Sequence, residues 1–332
     1  MSGRQRNSSK STPMNSQQPV AKKTWWYWLR TAGLLAGMAF MAWLLWQLLR
    51  SPDIRKIHFS FWGVAFAVVI GVIGNLVVGI TFSDMVAKSA PLIGFRRRIS
   101  AYYYSQIAKY IPGKVAALLI QRSILAGPRA SAATIMSNLE LMAATCWLCG
   151  GAAIALWVST ITPLGSAIIA IAAVAIGAAL IRLNWQPLIR RALSLIPRYG
   201  HLATAPPDAR RIPWVRASWL SSGILLLPAL SSYGLLASGM NIDTALAIPL
   251  TSSLLVAWVV GVLAFVFPAG IGVRELIFFG VGNILVASPG AALLAEVAIA
   301  SRLLHVVADI VGVALFLVIE RVYLQARNHY QP

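Results

Sequence analysis

Long apolar runs separated by short polar segments dominate this sequence. Most of the runs reach about 20 residues, the length that an α-helix needs to cross the hydrocarbon layer of a membrane. Transmembrane β-strands would alternate apolar and polar residues in segments of about ten residues, and no such segments are evident. The pattern predicts an all-α, polytopic transmembrane helical bundle of about eight spans, the seventh of them short, at residues 29–49, 59–81, 132–158, 164–183, 215–238, 245–266, 276–288 and 292–319.

The first 24 residues differ from the rest of the chain. They are rich in Ser, Asn and Gln and contain Pro13 and Pro19, a composition that predicts a disordered tail. The run at residues 29–49 is longer than the apolar region of a signal peptide and lacks a small-x-small cleavage site, so we expect a retained first span. The acid-free leader also resembles an organellar transit peptide, but the sequence favours the cytoplasmic tail of a bacterial protein. Aromatic clusters at residues 25–28 and 102–104 predict anchors at the membrane interface.

The composition supports a membrane protein and adds a strong positive charge. Of the 332 residues, 58% are hydrophobic and 11% are charged, and the mean hydropathy of +0.74 excludes an ordinary soluble domain. The 28 Lys and Arg residues against 9 Asp and Glu residues give a net charge of +19, a balance that also occurs in nucleic-acid-binding proteins. Here the basic residues crowd between nearly charge-free runs, in the leader, from Lys88 to Arg129 and from Arg182 to Arg216. This is the positive-inside pattern, so we expect no nucleic-acid partner.

The charge rule also predicts the topology. An even number of spans places both termini on one side, which we expect to be the cytoplasmic side of a bacterial inner membrane. Arg321 then lies inside as the rule requires, whereas Arg50 and Arg55 face outward and disagree with it. The predicted organisation is a disordered basic tail (1–24), a first membrane half (25–183), a basic cytoplasmic loop (184–213), a second membrane half (214–320) and a cytoplasmic tail (321–332).

Each membrane half contains one helix-breaking, positively charged motif, within residues 101–124 and 267–288. In each half, spans lead to a break that is followed by a cation, and this recurrence predicts an internal repeat. Transporters commonly arise from such duplications, with broken helices of both repeats meeting at a central site. A broken helix is tolerated in lipid only where protein or a water-filled cavity satisfies the freed backbone groups, so re-entrant segments here indicate a cavity.

The first motif runs from Lys109 to Lys114 and is centred on a Pro-Gly pair. Proline ends one half-helix and glycine lets another begin, which exposes unpaired N–H groups at a new helix N-terminus. Those donors and the two ammonium groups suit a phosphate or a similar anion. The alternative is that both lysines extend to the interface and meet lipid phosphates nonspecifically. Arg122 lies two turns beyond Lys114 on broadly the same side. The candidate binding residues of this motif are Lys109, Tyr110, Pro112, Gly113, Lys114 and Arg122.

The second motif repeats this chemistry and adds an acid. Its candidate binding residues are Pro268, Gly270, Gly272, Arg274 and Glu275. The first three break the helix, Arg274 starts the next one, and a carboxylate such as Glu275 is favoured near a helix N-terminus. The motif has no preceding strand and no P-loop lysine, so it does not predict nucleotide binding.

Four further ionisable residues in the apolar runs are candidates for charge pairing or proton coupling. Arg302, His305 and Asp309 share one face of the last span, where Asp309 is expected to neutralise Arg302 or a motif cation. A neutral packing role is the alternative for His305. Glu140, in the third span, is a candidate proton or counter-ion site. Cys146 and Cys149 form a C-x-x-C pair inside an apolar run and are interpreted as packing residues, because no second ligand pair accompanies them.

Two segments of the chain resemble the signatures of the lysylphosphatidylglycerol synthase/flippase membrane-domain family. They are Ser105-Gln-Ile-Ala-Lys-Tyr-Ile-Pro-Gly-Lys-Val115 with Arg122, and Pro268-Ala-Gly-Ile-Gly-Val-Arg-Glu275. The resemblance implies a helical flippase fold with re-entrant segments at both signatures. It places Lys109, Tyr110, Pro112, Gly113, Lys114, Arg274 and Glu275 on motif positions. Ala108 stands where the family has Gly, and Ala116 where it often has an aromatic residue. No soluble aminoacyl-transferase domain follows the membrane part, so lipid aminoacylation is not expected.

The predicted function is therefore an integral membrane lipid translocase. It would move an anionic or lipid-linked head group through a cavity lined by the two motifs, without a cofactor, a metal or ATP. The alternative is a membrane enzyme or an accessory subunit in lipid-linked glycan or hopanoid-type lipid metabolism, with a lipid-modifying enzyme or a glycosyltransferase as partner. No catalytic constellation is apparent in the sequence. The sequence leaves oligomerisation open.

Overall fold

The computed structural model describes residue 46, residues 59–108, 115–127, 130–183, 191, 211–264, 270, 272–286 and 290–329. Within these residues every regular element is a helix and none is a strand. The helices are α1 (Phe61–Ser89), α2 (Phe95–Ala108), α3 (Val115–Leu125), α4 (Ala130–Ser159), α5 (Pro163–Arg182), α6 (Trp214–Gly234, extended by the π-helical turn Leu235–Gly239), α7 (Thr244–Leu263), α8 (Val273–Leu285) and α9 (Ala291–His329).

Six of these helices are long and apolar enough to cross a membrane, which makes the chain a multi-pass membrane protein. They are Phe61–Ser89, Ala130–Ser159, Pro163–Arg182, Trp214–Gly239, Thr244–Leu263 and Ala291–Val322. Each lies where the hydropathy pattern predicts a span. The prediction of about eight spans is not confirmed. The run at 29–49 lies outside the described residues apart from Trp46, and α8, at 13 residues, is only about 20 Å long.

Helices α1 and α6 pack together along their length through small residues. A Cβ at Gly63 would lie 2.1 Å from the Ser238 carbonyl oxygen, so only glycine fits at this crossing. At the same end, the backbone N–H of Ser60 donates to Gly239 O at 2.8 Å. Further along, a Cβ at Gly223 would lie 2.9 Å from Val77 Cγ1. We call this tightly packed pair the α1–α6 spine.

The other long helices surround the spine and build two apolar cores. One core lies mainly between α1, α2, α4, α5 and α6, and the other lies mainly between α6, α7, α8 and α9. Small residues again permit close approach, because a Cβ at Gly151 would lie 2.5 Å from that of Ala173. The outer surface is apolar as well: α5 exposes Leu164, Ile168, Ile171 and Ile176. A surface of this kind is suited to lipid rather than to water.

The tyrosines before the first motif do not form the interfacial anchor that the sequence predicts. Tyr102 and Tyr103 are each only 5% exposed, and Tyr103 stacks on Phe316 of α9 with ring centroids 4.6 Å apart. Only Tyr104 is exposed, and its hydroxyl donates to Glu320 Oε2 at 3.1 Å. The prediction was wrong for the first two residues because α2 lies against α1 and α9, which buries that face of the helix.

Basic side chains collect at one end of the bundle. Lys88 Nζ donates to Leu183 O, Arg182 Nη1 donates to Ile212 O, and Arg96 Nη2 donates to Glu320 Oε1. These contacts bring the C-terminal ends of α1, α5 and α9 beside the N-terminal ends of α2 and α6. Among the described connections, the two at the opposite end, residues 160–162 and 240–243, contain no Lys or Arg; Arg50 and Arg55, before α1, lie outside the described residues. We call the cationic side the basic end; its asymmetry is the one that the positive-inside rule describes.

Candidate functional site

The second motif connects α7 to α8 through a backbone that requires glycine. Gly270 and Gly272 have φ of +66° and +83°, values in the left-handed region that other residues rarely adopt. A Cβ at Gly270 would lie 2.6 Å from Gly261 O, so the backbone of α7 blocks any larger residue. Gly272 is the N-cap of α8. The helix is interrupted between Leu263 and Val273, the interval that contains both glycines, while Pro268 lies outside the described residues.

Glu275 ties the start of α8 to α9. Its Oε2 accepts a hydrogen bond from the Gly272 backbone N–H at 2.8 Å, which satisfies a donor that the first turn of a helix leaves unpaired. Its Oε1 accepts from Arg302 Nε at 2.5 Å. Arg302 Nη2 also approaches Gly270 O at 3.4 Å. The carboxylate is 2% exposed, so this ion pair holds the break closed from inside the bundle.

Arg274 is buried beside this pair. The residue is 7% exposed, and its Cβ lies 3.2 Å from where a Cβ on Gly261 would stand. Gly261 therefore lets the arginine stem pack directly on α7. Arg274 thus adds a second arginine to the break at which Arg302 pairs with Glu275. We call Arg274, Glu275 and Arg302 the buried charge cluster.

The polar face of α9 continues from this cluster toward the basic end. Asp309 is 6% exposed, and its Oδ1 accepts a hydrogen bond from Asn75 Nδ2 of α1 at 2.9 Å. His305 Nδ1 lies 2.5 Å from Ser301 O, a bond in which the carbonyl accepts and Nδ1 donates. The sequence places Arg302, His305 and Asp309 on one face, and the structure gives the partners as Glu275 for Arg302 and Asn75 for Asp309.

The cluster lies far from the basic end. Arg302 and Glu320 belong to the same continuous helix and are about 27 Å apart along it, at 1.5 Å of rise per residue. The carboxylate of Glu275 is enclosed by the surrounding helices, so it needs the internal partner that Arg302 provides.

The first motif, with Lys109, Tyr110, Pro112, Gly113 and Lys114, lies outside the described residues. The two short helices that flank it, α2 and α3, are joined by buried polar side chains. Gln121 Nε2 donates to Ser105 Oγ at 2.9 Å, and Asn138 Nδ2 of α4 donates to Gln121 Oε1 at 2.6 Å. Arg122, the next residue, is exposed.

Glu140, a candidate proton or counter-ion site, has a basic partner that sequence reasoning missed. Lys88 Nζ lies 3.1 Å from Glu140 Oε2, and Lys88 also donates to Leu183 O at 3.0 Å. The predicted span ended at residue 81, but α1 continues to Ser89 and carries Asp84 and Lys88 into the bundle. Their i, i+4 spacing after an apolar run was the available signal.

Asp84 forms the other missed pair. Arg216 Nε and Nη2 donate to its two carboxylate oxygens at 2.6 and 3.0 Å, a bidentate geometry. The Arg216 side chain is half exposed, so this pair lies at the surface of the basic end.

Comparisons with known proteins identify no relative. No protein-family model matches the chain, and neither the curated proteins nor the solved structures contain a match. The resemblance to the lysylphosphatidylglycerol synthase/flippase membrane domain therefore stays a prediction from the two motifs.

Proposed function

We propose that the protein is a lipid translocase of the flippase type in the inner membrane of a bacterium. Its cargo is an anionic or lipid-linked head group, which crosses through a cavity between the two motifs while the acyl or isoprenoid chains stay in lipid. Lys109, Lys114, Arg122 and Arg274 supply the positive charge. Glu275 holds Arg302 in position beside them.

The observation that carries this proposal is the buried charge cluster at the break between α7 and α8. Ionisable groups deep in an apolar bundle are costly, and in membrane proteins they commonly mark substrate or ion pathways. Arg302 is paired with Glu275, which already caps Gly272, so the carboxylate is committed to protein partners. Arg274 brings a second, buried arginine to the same break. Guanidinium groups bind phosphate and carboxylate groups well, so we favour a negatively charged cargo over a cationic one.

The lengths of the helices support re-entrant segments in this proposal. At 14, 11 and 13 residues, α2, α3 and α8 are each shorter than the roughly 20 residues of a full crossing. Each motif precedes one short helix, which is followed by a long one: α3 then α4, and α8 then α9. The same order in both halves is what an internal repeat requires.

The sidedness of the chain completes the proposal. The basic end faces the cytoplasm, since cationic loops are retained on that side, and both termini lie there. The sequence carries no nucleotide-binding motif, so transport runs downhill or is coupled to an ion gradient or to the membrane potential. A lipid-modifying enzyme or a glycosyltransferase would supply or use the cargo.

The alternative, a membrane enzyme or an accessory subunit in lipid-linked glycan or hopanoid-type metabolism, has weaker support. The candidate acids have structural partners: Glu140 pairs with Lys88, and Asp309 accepts from Asn75. His305 Nδ1 is engaged with Ser301 O. General acid–base catalysis needs a carboxylate or a histidine within hydrogen-bond reach of a substrate proton, whereas these three side chains are bonded to other residues of the protein.

The test is a transport assay with the purified full-length protein in liposomes that contain fluorescent lipids in one leaflet. We expect the protein to accelerate the exchange of at least one anionic or lipid-linked species over protein-free liposomes. Lys114→Ala and Arg274→Ala should each abolish that exchange while the folded protein is retained, and Arg321→Ala, an exposed cation at the basic end, should not. Failure to move any member of a broad anionic panel would contradict the proposal.

A further inference from the structure

The carboxylate of Glu320 in α9 lies against three donors of α2. Its Oε1 accepts from Arg96 Nη2 at 3.3 Å and lies 3.1 Å from Ser100 Oγ, and its Oε2 accepts from Tyr104 OH at 3.1 Å. The Ser100 hydroxyl has one proton and also lies 2.9 Å from Arg96 O, so it divides its donation between two acceptors. The Glu320 side chain is 15% exposed, so protein surrounds most of it. We call Glu320 and these three residues the Glu320 clamp.

The three donors of the clamp recur every four residues along α2. Positions i, i+4 and i+8 of a helix lie on one face, here over about 12 Å of rise. Helix α2 begins at Phe95 and has no acidic residue in its first turn. A carboxylate is stabilised near the N-terminal end of a helix, where the helix dipole is positive. Glu320 therefore supplies from α9 the negative charge that the first turn of α2 lacks.

Aromatic rings extend this contact along α2 toward the first motif. Tyr103 stacks on Phe316 with ring centroids 4.6 Å apart, and the Tyr104 ring meets Phe316 edge-on at 6.3 Å. A Cβ at Gly312 would lie 3.9 Å from Tyr103 Cε1. Gly312, Phe316 and Glu320 are also spaced by four residues. Helix α9 therefore meets α2 through one continuous face.

The helix that the clamp holds leads directly into the first motif. Helix α2 ends at Ala108, and the motif begins at the next residue. Ser105, the neighbour of Tyr104, accepts at Oγ from Gln121 Nε2 of α3, the helix that follows the motif. Helix α2 is thus bonded to α9 on one side and to α3 on the other. A shift of α2 along α9 would move the start of the motif with it.

The same face of α9 contacts the second motif. Arg302 and Glu320 are 18 residues apart, which is about five full turns at 3.6 residues per turn, so the two side chains leave α9 in the same direction. Asp309, which accepts from Asn75 of α1, lies between them. Arg302 pairs with Glu275 at the break between α7 and α8. One face of one continuous helix therefore contacts both the second motif and the helix that precedes the first.

We infer that Glu320 is a positioning residue for the first motif, and that α9 supports both motifs on a single helix. Glu320 fixes α2 against α9, and Arg302 fixes α9 to the second motif. The start of the first motif is thereby kept in a constant register with the second. The effect of Glu320 on transport rests on the proposed function, whereas the positioning itself does not.

Amide hydrogen exchange of the full-length protein in detergent, followed by mass spectrometry, tests the positioning. We expect Glu320→Ala to accelerate exchange in residues 95–118 about tenfold, the loss expected for one charge-assisted hydrogen bond. Exchange in α7, which does not contact the clamp, should stay unchanged. The matched control is Arg321→Gln, which alters the adjacent exposed residue and should have no effect.

A charge swap tests whether the ion pair itself is responsible. Glu320→Arg combined with Arg96→Glu should restore slow exchange in residues 95–118. The hydroxyls of Ser100 and Tyr104 can accept from a guanidinium as well as donate to a carboxylate. The new carboxylate would also lie in the first turn of α2, where a negative charge is favoured.

The liposome assay with the same variants tests the role in transport. Glu320→Ala should raise the mole fraction of cargo lipid that gives half-maximal exchange and leave the maximal rate little changed. The binding groups are still present in this variant, but the motif must be ordered when the cargo binds. The charge swap should restore the wild-type value.

Unchanged hydrogen exchange in residues 95–118 of Glu320→Ala would overturn the inference. Equal acceleration throughout the protein, or a charge swap that restores nothing, would also overturn it, because Glu320 would then contribute only general stability. Faster hydrogen exchange in α2 with an unchanged half-maximal mole fraction would refute the role in transport. A wild type that moves no lipid would contradict the proposed function alone, since the hydrogen-exchange result decides the positioning without transport.

Discussion

Lys88 Nζ of α1 lies 3.1 Å from Glu140 Oε2 of α4, and both side chains are only 1% exposed. Removing one partner of a buried ion pair leaves an uncompensated charge, at a cost of about 3 to 5 kcal/mol. We expect Glu140→Gln to lower the free energy of unfolding by an amount of this order. Unfolding in a series of sodium dodecyl sulfate concentrations, followed by tryptophan fluorescence, measures the loss.

The matched control for this pair replaces both charges. Lys88→Met combined with Glu140→Leu should recover most of the stability, because two apolar side chains of similar volume are often no worse than a buried pair. If the double variant is as unstable as Glu140→Gln, the pair is not what stabilises this contact. Transport by the stable double variant would also show that Glu140 is not a proton-coupling site.

Gly270 gives a steric prediction. Its φ of +66° and the 2.6 Å approach of a Cβ to Gly261 O leave no room for alanine. Gly270→Ala should destabilise the protein by at least about 1 to 3 kcal/mol, since a strained backbone conformation would be forced on a residue with a side chain. Thermal unfolding in detergent measures this change.

Gly280 is the control for Gly270. It lies in α8, and a Cβ there meets no atom within 4 Å. Gly280→Ala should be neutral or stabilising by up to about 1 kcal/mol, because alanine is the better helix former. Equal destabilisation by both substitutions would show that the geometry of the break is not special.

The ion pair of Glu275 with Arg302 can be tested by a double-mutant cycle. Glu275→Gln leaves Arg302 without its carboxylate, and Arg302→Gln leaves Glu275 with the Gly272 N–H alone. Each single change should cost about 3 kcal/mol or more, and the double change should cost clearly less than the sum. Additive losses would mean that the two residues act independently.

The polar bridge across α2, α3 and α4 gives a fourth prediction. Gln121→Leu removes the group that joins Ser105 to Asn138, and leaves buried polar atoms unsatisfied at about 1 to 3 kcal/mol. Amide hydrogen exchange in residues 101–125 should rise, because the two short helices lose their link. Ser123→Ala, at an exposed position on the same helix, should change neither exchange nor stability.

The spans could be predicted from hydropathy because lipid imposes one rule on every crossing helix. All six long helices lie where that rule places them. It fails at the end of α1, where Asp84 and Lys88 lower the local hydropathy although the helix continues. Their burial depends on Arg216 and Glu140, which are remote in sequence.

The sequence draws attention to the residues around the break between α7 and α8, but it does not predict all of their pairings. Gly270 and Gly272 lie between α7 and α8, and Glu275 is buried with Arg302 half-buried beside it. The sequence offered Asp309 as a partner for Arg302 because both share a face of one helix, whereas the partner described is Glu275 across the motif. The packing of α8 on α9 decides which carboxylate meets Arg302. Sequence periodicity within one helix carries no information about that packing.

The α1–α6 spine has a consequence for how any transport cycle works. Helix α1 belongs to the first half of the chain and α6 to the second. The close packing of Gly223 on Val77 therefore favours movement of these two helices as one rigid unit. A rocking motion of one half against the other would have to separate α1 from α6 along the α1–α6 spine. In the transport cycle that we propose, alternating exposure of the cargo site would come from the short helices beside the two motifs, which would move against the α1–α6 spine.

A disulfide bond between α1 and α6 distinguishes a rocking motion of the two halves from a motion of the short helices alone. The Cβ of Val77 lies 3.6 Å from the position of a Cβ at Gly223, within the range that a disulfide spans. Val77→Cys with Gly223→Cys, in a background with Cys146 and Cys149 replaced by alanine, should cross-link on oxidation and keep its lipid exchange rate. If cross-linking instead stops lipid exchange and reduction of the disulfide restores it, the two halves must move against each other during transport.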